Sequence, residues 1–496
     1  MNKIVLAGGA LLLLAGACHH EDTGDAGMWR RTVEPRLSAI RSWHSCTEVF
    51  VPGHVVADAR CDATPVFGGV CDEVIDSREQ ADRMLLSGPQ CTDAAISALE
   101  NFSRADASAL SDLAGAYYVR AQRNDNPADL LRAFDAAQRA VAMQPQPAGA
   151  QFNRALVLEA LSLNTEAIDA WQRAAASETG EWAEEARARR TALVRRTAVD
   201  GEHQWAQVQA RLDVALDGHN VAVARGLVAL FPASSEKYFE EKVLRQWAES
   251  PSPEQLGRVT TFAEALSQFF NDRYFADVAA AIVNARSPEV LERLRQGHLC
   301  FAEARIAEGT GDSSGAARLY DGAARLLREA GSPQYLLARI AYVIRTPDSD
   351  AALRQLDDIA AEARRYSSVT ARVDLNRLYV AQFANRYDRF FAAYDAAKTQ
   401  YVRIGDWEDR ALVEANAIAT MSVVGLKDAA WREALVAMRY VPRLPTWKTQ
   451  YLLAGSTGAA ALDLDHPAAA FLYQNSVVER ARTQPVQGYL VSILDH

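Results

Sequence analysis

A chain of 496 residues, 49% hydrophobic and 23% charged, can bury a large core, which excludes general disorder. Its net charge of −10, with arginines interleaved among acids (EARARR, DIAAEARRY) and no basic stripe, argues against nucleic acid as a partner. With 27 glycines and 17 prolines there is room for long uninterrupted helices, and helical patterning dominates beyond residue 105.

Lys3 precedes the apolar run Ile4–Ala17, which is too short to span a bilayer as a mature helix and ends in small residues. This predicts an export signal over residues 1–18. Leu14-Ala15-Gly16-Ala17-Cys18 resembles a bacterial lipobox. The resemblance implies a lipid on Cys18 and an outer-membrane lipoprotein facing the periplasm or the cell surface, because His19 rather than an acid follows the cysteine. Lipoboxes usually carry leucine where this chain has Ala15, and cleavage by the ordinary signal peptidase is the alternative.

Residues 19–104 read as a polar tether and a small irregular cap, in which TEVFV and HVVADA alternate with Pro52-Gly53 and Gly68-Gly69. Cys46, Cys61, Cys71 and Cys91 fall in this stretch. In an oxidising compartment such a set predicts two disulfides, with three possible connectivities. A zinc site is the weaker reading, since no CxxC pair occurs. Cys300 sits in a helical pattern and is expected to be a buried, inert thiol.

Residues 105–196 carry helical hairpins. In Ala148–Glu181, Phe152, Ala155, Leu156 and Leu158 mark one apolar face, and Ala167, Ile168, Trp171 and Ala174 mark a second. Leu163-Asn164-Thr165 separates them, with Thr165 as the expected helix cap. Ala155 and Ala167 are expected to face each other, with Ala170 on the outer side. The unit resembles a tetratricopeptide repeat (TPR), a helix–turn–helix with a period of about 34 residues. Residues 110–145 resemble another, with NDNPADLL as an extended turn. Residues 197–296 are helical but divergent, with Asn220, Ser234 and Ser252 near helix starts. TPR-like units return over 297–496, through Ala304, Gly311 and Tyr320, then Leu378, Tyr387 and Phe390, then Gly425, Ala430 and Ala434. The expected fold is therefore all-α, a TPR-like α-solenoid of five to seven hairpins behind a disulfide-pinned cap.

No signature of catalysis is present: there is no GxSxG, P-loop, HExxH or Rossmann glycine run. His298 and Cys300 are two apart, so on a helix they point in different directions. No metal or cofactor site is expected. The exported start followed by SDLAGAYYVRAQRNDNPADLLRAFDAAQRAVAMQP and FNRALVLEALSLNTEAIDAWQRAA is similar to the N-terminal repeat half of bacterial CHAT-domain proteins. Their caspase-like peptidase half, with its His-Gly and Ala-Cys motifs, is not matched. The functional expectation is a non-catalytic cell-envelope scaffold or adaptor that binds a protein or peptide in a TPR groove. Arg120, Asn153, Arg377 and Asn416 are candidate groove residues. The alternatives are a glycan-binding SusD-like lipoprotein and a regulatory partner of a separately encoded CHAT peptidase.

Overall fold

The structure, a computed structural model, describes residues 50–51, 54–55 and 75–483, other than 88–90, 104–105, 124–125, 144–145, 148 and 198–200. Cys18, Cys46, Cys61 and Cys71 lie outside the described residues. Two short strands, β1 (Phe50–Val51) and β2 (His54–Val55), pair antiparallel with Phe50 opposite Val55. All other regular structure among the described residues is helical. The chain divides into two compact units. One holds the described residues before 200 together with 421–442 and 454–483, and the other holds 201–420 and 443–453.

In the first unit, α1 (Arg78–Ser87), α2 (Thr92–Phe102), α3 (Ala107–Arg123), α4 (Ala128–Ala142), α5 (Ala150–Ala160), α6 (Asn164–Ser177) and α7 (Gly180–Thr197) pack each on the one before. The expected irregular cap is thus helical from residue 78. Met84, Leu85, Ala95, Ile96 and Leu99 are buried at helical spacing, which makes α1 and α2 a further hairpin of the stack. The second half of NDNPADLL, expected to be part of an extended turn, is helix, because α4 opens at Ala128.

Between α5 and α6, Ala155 and Ala167 are fully buried, and Trp171 meets Phe152 edge to face at 4.9 Å. Ala170 is fully buried too, against expectation. Because α6 packs on both α5 and α7, it hides a wider arc than a helix with one neighbour, and its outer face runs through Asp169, Gln172, Arg173 and Ala176. Thr165 does not cap the helix. Leu163 precedes it, and its N–H reaches back to the Leu158 carbonyl (3.0 Å) across Ser162, which has φ +58°.

The second unit opens with α8 (Gly201–Asp217). A Cβ on Gly201 would lie 2.7 Å from the Leu444 carbonyl carbon and 2.8 Å from the Arg443 oxygen, so this close backbone approach needs glycine. Then come α9 (Val221–Val228), α10 (Pro232–Tyr238), one π-turn (Phe239–Val243), α11 (Leu244–Glu249), α12 (Pro253–Phe270) and α13 (Tyr274–Val283). Phe239 packs against Phe262 (5.6 Å) and Phe275 (5.8 Å) in an aromatic core. Asn220 and Ser252 cap α9 and α12, each accepting a backbone N–H at 3.1 Å, as expected of helix starts. Ser234 lies inside α10 instead.

Hairpins follow: α14 (Pro288–Gly309) with α15 (Ser313–Glu329), α16 (Tyr335–Val343) with α17 (Ser349–Glu362), and α18 (Ser367–Phe383) with α19 (Tyr387–Ile404). The start of α18 is capped from elsewhere in the chain. Asp272, between α12 and α13, accepts the Ser368 N–H (2.7 Å), the Ser368 hydroxyl (2.7 Å) and the Ser367 hydroxyl (3.3 Å), while its other oxygen takes the Tyr274 N–H (3.0 Å).

The chain leaves the second unit within α20 (Trp407–Val423), which is followed by α21 (Lys427–Ala437), a 3₁₀ segment (Met438–Arg443), α22 (Trp447–Asp463) and α23 (Pro467–Thr483). In the first unit, α21 and α23 pack on α4, some three hundred residues earlier. The Trp431 indole donates to the Pro127 carbonyl (2.8 Å), Tyr473 donates to the Leu161 carbonyl (2.5 Å), and His466 pairs with Asp135 (2.6 Å). These contacts depart from a one-dimensional array in which each repeat touches only its neighbours.

Five of the turns share one construction. A left-handed residue follows the first helix at Ser162, Gly311, Asn385, Gly425 and Asp465, and the next N–H closes a bond to the carbonyl five residues back. The last three stand 40 residues apart (425 − 385 and 465 − 425). The hairpins are TPR-like but lengthened, because their helices run to 17 or 18 residues.

Candidate functional site

The 40-residue register aligns α18 with α20. On one side of α18 lie Arg372, Asn376, Tyr379 and Phe383, spaced by single turns, and the first three are half-buried. Leu412, Asn416 and Ala419 take the corresponding places on α20. Asn376 donates an amide hydrogen to the Arg372 carbonyl at 2.7 Å, and Asn416 does the same to Leu412 at 2.7 Å. The two asparagines therefore hold one pose in successive repeats, and neither amide oxygen has a partner among the described residues. The Asn416 amide also reaches the Tyr379 hydroxyl (3.4 Å), and Gln382 bonds Thr420 (3.0 Å), so the two helices present a single face. Phe383, at the end of this face, is 83% exposed.

At the other end, Arg372 meets acids from far away in the chain. Its Nη2 lies 2.5 Å from Glu236 and 3.5 Å from Glu240, on α10 and the π-turn. The side chains of Glu236 and Glu240 are 4% and 1% exposed, against 21% for Arg372, so the acids are almost wholly withdrawn from water and Arg372 is largely buried with them. Asp406, fully buried at the head of α20, accepts the Asp409 N–H with one oxygen (3.1 Å) and has no partner for the other. Glu408 accepts the Ser234 N–H (3.2 Å) and hydroxyl (2.7 Å).

Burial is the main cause of the acids' weakened acidity. It pushes Glu236 up to about 8, opposed by Arg372 and reinforced by Glu240 and Asp409, and it pushes Glu408 up to about 7. Burial also raises Glu240, Asp406 and Asp409.

Of the groove candidates named from sequence, Asn416 lies on this face. Arg377, one residue past Asn376, is tied instead to Asp374 (2.7 Å) and Asp357 (2.6 Å). Arg120 lies in the first unit, clamped by Asp129 (2.6 Å) and Asp93 (2.7 Å). Asn153 is buried and donates to the Ser111 carbonyl and hydroxyl (3.1 Å each), which places it in the packing between α3 and α5 and not in a groove. Cys91 is disulfide-bonded, and Cys300 is a half-buried free thiol. His298 is buried against Trp247 at 5.9 Å, with neither ring nitrogen hydrogen-bonded.

The acids around Arg372 carry no local sequence signal, whereas Asn376 could be found by its 40-residue offset from Asn416. Among the described residues no group of three or more His, Cys, Asp or Glu could hold a metal ion, and no helix is long and apolar enough to cross a membrane.

No family model matches the chain, and no curated protein does. Among solved structures, yeast Tom70 is similar over 82% of this chain and 95% of that one, at 12% identity and a TM-score of 0.28. That superposition is loose, and the TPR-like reading stands on the hairpins themselves.

Proposed function

We propose that this chain is a non-catalytic scaffold of the cell envelope that binds an extended protein or peptide segment along the α18–α20 face. The paired pose of Asn376 and Asn416 carries this reading. An extended segment offers backbone N–H groups at a regular rise, and two fixed amide acceptors on successive repeats are suited to reading them independently of side chains. Tyr379 lies between the two amides, and Phe383 adds exposed apolar area for an anchoring side chain.

The test is selection of linear peptides from a phage-displayed library on the full chain, followed by Asn376→Ala/Asn416→Ala. Losing two hydrogen bonds of about 0.5–1.5 kcal/mol each should weaken selected peptides by roughly 5–150-fold, with the melting temperature essentially unchanged. Undiminished binding by the double variant overturns the reading.

The finer parts of the proposal are a lipid on Cys18, disulfides among Cys46, Cys61, Cys71 and Cys91, and kinship with the repeat half of CHAT-domain proteins. Cys18→Ser should move the protein to the soluble periplasmic fraction. Retention on membranes removes the anchor from the proposal.

A further inference from the structure

Five carboxyl groups gather in one neighbourhood: Glu236 and Glu240, from α10 and the π-turn, pair with Arg372, Asp409 at the head of α20 feels its charge, Asp406 accepts the Asp409 N–H, and Glu408 is bonded to Ser234. Ser234 and Glu408 join the two segments across 174 residues of chain. Among the described residues, Arg372 is the guanidinium that bonds these acids, through Glu236 and Glu240. Arg305 of α14 acts on Glu240 and Asp409 through its charge, while its hydrogen bonds go to Glu241 (2.6 Å) and Glu308 (3.0 Å). Tyr274 of α13 and Tyr401 of α19 also face the cluster, and burial keeps both phenols un-ionised, well above their ordinary range.

Five ionised carboxylates cannot share a buried site with one bonded cation, so the arrangement as built requires retained protons. Two further features mark the place. The backbone carrying Glu240 is the one π-turn among the described residues, where the helical ladder is wound less tightly. The second oxygen of buried Asp406 has no partner.

We propose that this cluster is a proton-held clasp, in which protons shared by the five carboxyls seat α10 and the π-turn against α18 and α20, and their loss as pH rises loosens that seat. The direction follows from linkage. Glu236 and Glu408 hold protons up to about pH 8 and about pH 7 in the folded chain, while a released segment would lose them near the ordinary carboxyl value of 4.5. The seating is therefore tightest at and below about pH 4.5, weakens progressively as pH rises from there, and has lost this contribution once pH passes about 7 for Glu408 and about 8 for Glu236. The clasp adjoins the proposed peptide face but does not depend on peptide binding.

Hydrogen exchange on the full chain without ligand, expressed as protection factors so that the intrinsic pH dependence cancels, tests this. Between about pH 6 and pH 9, protection over residues 232–249 should fall roughly tenfold or more, while α6 in the first unit changes by less than about twofold. Glu236→Gln should flatten the profile. Glu408→Gln, which keeps one oxygen to accept the Ser234 N–H while its amide can donate to the Ser234 hydroxyl, and so folds if the first variant does not, should make it shallower. Constant protection over 232–249, loss in parallel with α6, or a wild-type profile in Glu408→Gln each overturns the clasp.

Discussion

Asp272→Ala is the sharpest test of the packing within the second unit. Asp272 is 5% exposed and serves two helix starts, α13 through Tyr274 and α18 through Ser367 and Ser368. Deleting a cap costs about 0.5–2 kcal/mol. Leaving the buried Ser368 N–H without an acceptor adds about 1–3 kcal/mol. The sum is about 2–5 kcal/mol, and at about 2–4 °C per kcal/mol for a unit of this size the unfolding temperature should drop by roughly 4–20 °C. Asp272→Asn keeps one carbonyl acceptor and must turn its amide hydrogens toward one of the two N–H groups, so it should lie between wild type and alanine. Scanning calorimetry gives the temperatures, and hydrogen exchange should place the new opening at residues 367–371. A drop below about 2 °C for Asp272→Ala, or an asparagine variant as damaging as alanine, would show that the trans cap does not hold α18.

Three further substitutions probe other parts of the argument. Ala167→Leu should overpack the α5–α6 contact and cost about 1–3 kcal/mol, whereas exposed Ala176→Leu should change stability by less than about 0.5 kcal/mol; equal effects in thermal melts would mean the hairpin register is wrong. His298 is buried as the neutral ring with its pKa lowered by burial to about 3, so its contribution is present above the ordinary value of 6.5 and is lost as pH falls toward 3. His298→Leu should therefore flatten the acid side of the stability profile in denaturant melts, and an unchanged slope there would contradict that account. Trp431→Phe removes the bond to the Pro127 carbonyl and should cost about 1–3 kcal/mol, with faster limited proteolysis in the 438–446 connection; a wild-type cleavage rate would refute the anchoring role.

The hairpins were legible where their causes are local. Ala155 and Ala167 announce close helix approach by their size, and Gly311 and Gly425 announce a left-handed turn by their freedom. Asn416 was visible as a polar residue on a first helix. Its counterpart Asn376 is hidden behind the neighbouring Arg377, because a period of about 34 does not superpose positions 40 residues apart. Asn153 is chemically the same kind of signal, yet it is buried by Ser111, 42 residues earlier. Glu240-Glu241 looks like a solvated pair on any helical wheel, and what desolvates Glu240 is a tertiary neighbourhood whose arginine comes 132 residues later. Ala170 failed for a related reason, since a helix with two neighbours has less outside than its own pattern suggests.

The contacts of Trp431, Tyr473 and His466 with the residues of α4 and the α5–α6 turn also set a timetable for synthesis. A ribosome delivers chain in order, and the second unit is complete in its main body once residue 420 has emerged. The first unit begins earlier but ends last, because the Pro127 and Leu161 carbonyls wait 304 and 312 residues for their donors. Separations of that size carry a large loop-closure cost before any contact rewards it. During that interval the face of α4 that will receive α21 and α23 is uncovered, which makes it the natural place for a holding chaperone to act and for premature association to begin.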